Sequence, residues 1–180
     1  MLALGLLGVW CPMASSLPVD PFKPPIWPEQ FVLVQRKVPD DDSGNSTTVT
    51  YYDWTRQANL ILITPDANET DVLWDLELGN KHSYYFYPSR QSCTPMTFPV
   101  GILRPNWLAN ATCLGERIIL GRKTIAWTKA DFIDYYADAN TGEPVSWYFH
   151  TMHARFDTMC VGSKAQTIHR ACMGGGASHA

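Results

Sequence analysis

Charge is scarce in this chain, and neither sign dominates. Charged residues make up 17% of 180, with Lys+Arg 14 against Asp+Glu 17 for a formal net charge of −3, where a typical soluble domain carries about 25%. That balance excludes a nucleic-acid binder that relies on a basic face. No apolar run approaches the ~20 residues of a membrane span. Cysteines are few and scattered, with no C-x₂-C pair, so a zinc cluster is excluded and no metal is expected. There is no G-x-S-x-G elbow, and no glycine-rich loop between a strand and a helix, which removes the serine-elbow hydrolases and the phosphate-cradling folds. No cofactor is expected. What remains is 46% hydrophobic residues, seven Trp among 12% aromatics, and 13 Pro beside 12 Gly. Such a composition supports one packed domain and argues against long disorder or a coiled coil.

The N-terminus carries a compartment signal. Residues 2–10 (LALGLLGVW) are apolar and are followed by Cys11, Pro12, Met13, Ala14, Ser15 and Ser16. This reads as a signal peptide over 1–16, cleaved after Ala14 or Ser16, although a basic n-region is missing. Asn45, Asn68 and Asn110 each open an Asn-X-Ser/Thr acceptor, where chance gives about one. Removing the leader takes Cys11 and leaves Cys93, Cys113, Cys160 and Cys172. Four cysteines allow three connectivities, of which sequence proximity favours Cys93–Cys113 with Cys160–Cys172. The expected location is secreted or the endomembrane lumen.

Residues 17–28 hold five prolines and read as an extended lead-in, and 163–180 reads as a C-terminal tail that ends in small residues from Gly174. Between them, 29–162 reads as a single all-β domain. Alternation and turn residues predict strands at 31–38, 47–54, 58–64, 73–78, 83–87, 114–120, 124–129, 132–137, 144–151 and 154–161. The segment 90–110 is broken by proline and has room for one helical turn at most. In 73–78, Trp74, Leu76 and Leu78 share one face and are assigned to the core, with Asp75 and Glu77 on the other. Segment 58–63 is apolar on both faces, so each face has something covering it. Trp54, Trp74, Trp107, Trp127 and Trp147 fall close to multiples of twenty residues apart, about one hairpin. The expected fold is therefore a single curved antiparallel meander, a half-barrel or open barrel with one short helical or irregular closing segment.

FPVGILRPNWL (98–108), CLGERIILGRKTIAWTKADFIDYY (113–136) and PVSWYF (144–149) resemble an uncharacterised family of secreted plant and algal proteins, some labelled as transferring glycosyl groups. The resemblance covers roughly 27–162, including YYDW (51–54) and LWDLELGN (73–80). The family tends to place a Cys before the Trp of the strand that here reads Ile125-Ala126-Trp127, and Cys113 is unexpected, which implies a different disulfide pattern. At the level of architecture, 121–149 looks like bacterial lipoprotein carriers and ependymin-related proteins. That likeness implies an open half-barrel holding apolar ligands, with 98–108 closing one side.

Candidate chemistry is sparse. Asp75 and Glu77 sit about 6.6 Å apart along their strand, within the range of glycosidase pairs, but are expected to be solvated. Glu116 and Asp134 are each flanked by apolar neighbours on their own face, so each needs a partner or a shifted pKa; Arg104 is a candidate partner. His150 and His153 are three apart, which on a strand sends them to opposite faces. The loop 40–44 lacks calcium-loop spacing and reads as a solvated turn.

The leading expectation is a secreted, non-catalytic binding protein. An apolar or lipid-like small molecule would lie on a concave face lined by Trp54, Trp74, Tyr85, Tyr87, Arg104, Trp107, Trp127 and Trp147. Two alternatives stand beside it. One is a carbohydrate-active enzyme using Glu116 and Asp134. The other is an extracellular module that meets a protein or a wall polysaccharide.

Overall fold

The computed structural model describes residues 23–162; the leader, the first half of the lead-in, the tail, Cys11 and Cys172 lie outside the described residues. Eleven strands form one antiparallel sheet: β1 (Gln30–Pro39), β2 (Ser46–Asp53), β3 (Ala58–Pro65), β4 (Leu73–Leu78), β5 (His82–Tyr87), β6 (Ser92–Thr97), β7 (Thr112–Ile119), β8 (Arg122–Lys129), β9 (Ile133–Asp138), β10 (Pro144–Phe149) and β11 (Ala154–Gly162). Their order is β6-β5-β4-β3-β2-β1-β11-β10-β9-β8-β7. The sheet is open, with β6 and β7 as its two edges. Among the described residues helix is confined to two short 3-10 turns, Trp54–Arg56 and Pro88–Arg90, and none is long and apolar enough to cross a membrane.

The all-β meander expected from the sequence is the observed fold, with one strand more than alternation predicts. That strand is β6, Ser-Cys-Thr-Pro-Met-Thr, in which Pro95 lies opposite Tyr84. Proline removes a ladder donor and is tolerated at a sheet edge, which is where β6 lies. Segment 98–111 then carries the chain from the β6 edge to the β7 edge. β1 is flanked by β2 and β11 and joins the two halves of the meander.

The crossover defines an inner face. Trp107 and Leu108 pack there against Phe31 and Leu33 of β1, Tyr52 of β2, Ile125 and Trp127 of β8, Ile133, Tyr135 and Ala137 of β9, Trp147 of β10, and Ala154 and Phe156 of β11. Tyr52 Oη donates to the Leu103 carbonyl at 2.8 Å, and Lys129 Nζ donates to the carbonyls of Trp107 and Ala109. At Gly101 the crossover runs so close to the β4–β5 turn that a Cβ would lie 2.6 Å from the Gly79 carbonyl oxygen. Gly115 sits at the β7 bulge with φ +82, a conformation glycine adopts without strain.

Candidate functional site

Most of the aromatic residues expected to line a ligand face are packing instead. Trp107, Trp127 and Trp147 are buried in the core. Tyr135 is fully enclosed, stacked on Trp147 at 5.8 Å and edge-on to Trp107 at 5.5 Å. Its hydroxyl accepts from Trp27 Nε1 at 2.9 Å, and burial pushes its pKa far up. Trp54 is half-buried against the same cluster. These rings pack on one another and fill the inner face between β1 and β8. Trp74 lies on the outer face, 40% exposed and edge-on to Phe86. Arg104 is exposed on the crossover. Only Tyr85 and Tyr87 stand on the inner face away from the core, and the Arg90 guanidinium covers the Tyr87 ring at 3.9 Å. The eight expected residues therefore belong to separate places.

Glu116 and Asp134 do not form a pair. Glu116 lies opposite Ile125, which lies opposite Ala137, three residues from Asp134. An odd separation along a strand puts the two carboxylates on opposite faces. Glu116 is exposed and bound to Lys123 at 2.7 Å. Asp134 is bound to His150 at 3.2 Å, not to Arg104. His150 and His153 belong to the β10–β11 turn, and no metal-ligating group of three or more exists among the described residues. In the 40–44 turn, Asp41 accepts from the Ser43 amide. Cys93 and Cys113 stand on opposite edges of the sheet and are not bridged to each other; they are close in sequence, but the crossover spans the whole sheet between them. Cys160 is disulfide-bonded. Asn45, Asn68 and Asn110 are all exposed.

The unusual environment is in strands β3–β6, here called the wing. None of its side chains joins the core clusters, and the buried residues it contains are polar, Asp75 and Ser83. Strand register places Asn59 opposite Glu77, Ile61 opposite Asp75, and Asp75 opposite Tyr85, all on the inner face. Asp75 is 7% exposed, and its Oδ1 is buried without a hydrogen-bond partner; Asn59 Oδ1 is in the same condition. Asn59 Nδ2 donates to Glu77 Oε2 at 2.8 Å. Burial, reinforced by the neighbouring Glu77 charge, pushes Asp75 up to about 7. Burial also raises Glu77, against the opposing Asn59 hydrogen bond. Tyr85 is raised first by burial and then by Asp75 and Glu77. Ile61, Ile63, Leu73 and Met96 add apolar surface on the same face, which opens toward the exposed Ser92 and Thr94 of β6. Chemically this is a set of hydrogen-bond acceptors on a half-apolar floor.

Sequence reasoning set Asp75 and Glu77 aside because Trp74, Leu76 and Leu78 alternate with them. The alternation is right and the assignment of faces is reversed: the apolar set faces outward, and Asp75 is the buried one. A signal was present in β3, whose two apolar faces showed that apolarity alone could not tell inside from outside. The outer face carries Val32, Tyr51, Leu60 and Leu76 along an open groove of about 520 Å³, with Gln30, Asp53 and Arg56 at one end.

The model of the family described as Domain of unknown function (DUF8395) matches residues 26–168. No curated protein matches the chain. Among solved structures, the chain is similar to an uncharacterized conserved protein from Thermus thermophilus, with a TM-score of 0.53 and 9% identity, covering 78% of this chain and 82% of that one. At that identity the likeness shows the fold alone.

Proposed function

The chain belongs to the DUF8395 family, and from that premise we propose that it is a non-catalytic binding protein of the secretory route or extracellular space. Its ligand is a small molecule with an apolar body and a polar end, taken up on the inner face of the wing. The observation that carries this reading is the pair of buried acceptors, Asp75 Oδ1 and Asn59 Oδ1, that no donor of the described residues satisfies. A buried acceptor left unmade costs about 1–3 kcal/mol, and two at diagonal positions of one strand pair are most simply explained by a donor that arrives from outside. Ile61, Ile63 and Met96 supply the apolar contact. The expected apolar or lipid-like ligand narrows to one with a polar end, because Trp107, Trp127 and Trp147, expected to line its site, fill the core.

Secretion is supported by the exposed positions of Asn45, Asn68 and Asn110, by the bonded Cys160, and by the resemblance to secreted plant and algal proteins. The glycosyl-transfer label finds no acid–base pair at Glu116 and Asp134 to carry it. A second reading, an extracellular interaction module, is favoured by one observation: the outer face of β3–β5 leaves Trp74 and Tyr84 well exposed beside Leu60, Leu62 and Leu76, a contiguous apolar surface of the kind that meets a partner.

The test is native mass spectrometry of the full chain made in a eukaryotic secretory host, followed by organic extraction of anything bound. The expected result is a reproducible small-molecule adduct that is weakened when Tyr85 is changed to Ala and unaffected when the exposed Trp74 is. An empty mass, together with no binder in a small-molecule melting screen, overturns the reading and leaves the outer face as the functional surface.

A further inference from the structure

We infer that the polar end of this ligand is a protonated amine, held by Asp75, Glu77 and the Asn59 side-chain oxygen; the inference rests on the inner-face reading above and names its ligand class. The inner-face positions of the wing are Asn59, Ile61 and Ile63 on β3, Leu73, Asp75 and Glu77 on β4, Ser83, Tyr85 and Tyr87 on β5, and Ser92, Thr94 and Met96 on β6. None of them is lysine, arginine or histidine. Arg90, over the Tyr87 ring, is already held by Asp71 at 3.0 Å. The inner face of the wing thus holds two carboxyl groups and an amide oxygen and no cation of its own. An anion would meet only acceptors and carboxylates. A neutral hydroxyl can satisfy one acceptor, because it has one proton to donate. An alkylammonium has three N–H donors and a charge, which matches the number of acceptors and the sign of the field.

Occupancy is coupled to a proton. Asp75 faces Glu77 on its own strand, Tyr85 on β5 and the aliphatic Ile61 on β3, with Tyr52 of β2 beyond Asn59; the crossover brings Phe98 against Tyr85 at 6.5 Å, and its one charged residue, Arg104, is exposed. Burial keeps it protonated up to about pH 7. Binding of R–NH₃⁺ breaks the Asp75 O–H bond and sends that proton to solvent, leaving an ammonium–carboxylate pair. No oxidant, reductant or other reactant is involved.

The experiment is isothermal titration of the intact protein at pH 6 with hexylamine, hexanol and hexanoate, each in two buffers of different ionisation enthalpy. Hexylamine should bind about tenfold or more tightly than hexanol, hexanoate should not bind, and the hexylamine enthalpy should differ between buffers by close to one proton released. Asp75→Asn should abolish the buffer dependence and weaken hexylamine about tenfold or more. Glu77→Gln should weaken hexylamine and keep the proton release. Equal affinity for hexylamine and hexanol, or hexylamine binding indifferent to Asp75→Asn, overturns the amine assignment and leaves the small-molecule reading standing. Failure of both hexanol and hexylamine to bind overturns both. Each variant's thermal melt confirms folding, and both substitutions are near-isosteric.

Discussion

A carboxyl group buried beside another one is at its least stable when ionised, and Asp75 is in that position. Its folded pKa of about 7 lies above its unfolded value near 4, so between those limits the folded chain holds a proton that the unfolded chain has lost. Stability therefore falls as pH rises from about 4 to about 7 and levels off above. Asp75→Asn removes the titration. Urea unfolding at pH 8 should show the variant more stable by about 2–4 kcal/mol, and at pH 4 the two should coincide; a pH-independent difference would mean that Asp75 is ionised throughout. Asp138 behaves in the opposite sense. Burial would raise it, but the Asn140 and Thr141 amides and the Arg122 guanidinium outweigh that and hold it below the usual carboxylate range. Its contribution is present above pH 4 and is lost as pH falls through the lower folded value. Asp138→Ala should cost about 1–3 kcal/mol at pH 7, and the cost should shrink steadily in acid.

Among the elements, the crossover does most to decide what the sheet can bind. Its far end is anchored by Trp107 and Leu108 in the core, and its near end depends on Gly101 lying against Gly79. A methyl group at Gly101 runs into the Gly79 backbone, so Gly101→Ala should cost about 1–3 kcal/mol in urea unfolding, whereas Val100→Ala, at an exposed position, should cost almost nothing. Equal small losses from both would show that the approach is loose. Ten of the eleven strands were legible in the sequence because each is a short apolar or alternating run between turn residues, and β4 was read to its residue limits. β6 escaped because Pro95 interrupts it, and only its place at the edge, a property of the whole sheet, excuses the proline. The site was illegible for a related reason. Alternation tells which residues share a face, but the face that is covered depends on where 98–111 crosses, and that is settled by the Trp107 and Leu108 packing many strands away from Asp75.

At the scale of the molecule the sheet divides by what holds it. β8–β10 bury Ile125, Trp127, Tyr135, Val145 and Trp147, whereas the wing buries only Asp75 and Ser83. The halves meet through β1 and β11, whose pairing joins residues more than a hundred apart, so closing that ladder carries a large loop entropy and is only favourable when the core behind it forms. The wing pairs strand to neighbouring strand through short turns, with little apolar burial behind the ladders. Local stability follows apolar burial and the shielding of backbone hydrogen bonds, so the wing should open while the core half stays closed. Native-state hydrogen exchange should show the amides of β4–β6 exchanging through a sub-global opening well below the free energy of β1, β8–β11, and β3 in between. A ligand seated between Asn59, Asp75 and Tyr85 binds only the closed wing, so it should raise protection in β3–β5 by mass action and leave β8–β10 unchanged. Uniform protection across all eleven strands would instead mean one cooperative unit. Ligand-induced protection confined to β8–β10 would place the binding site in the aromatic half.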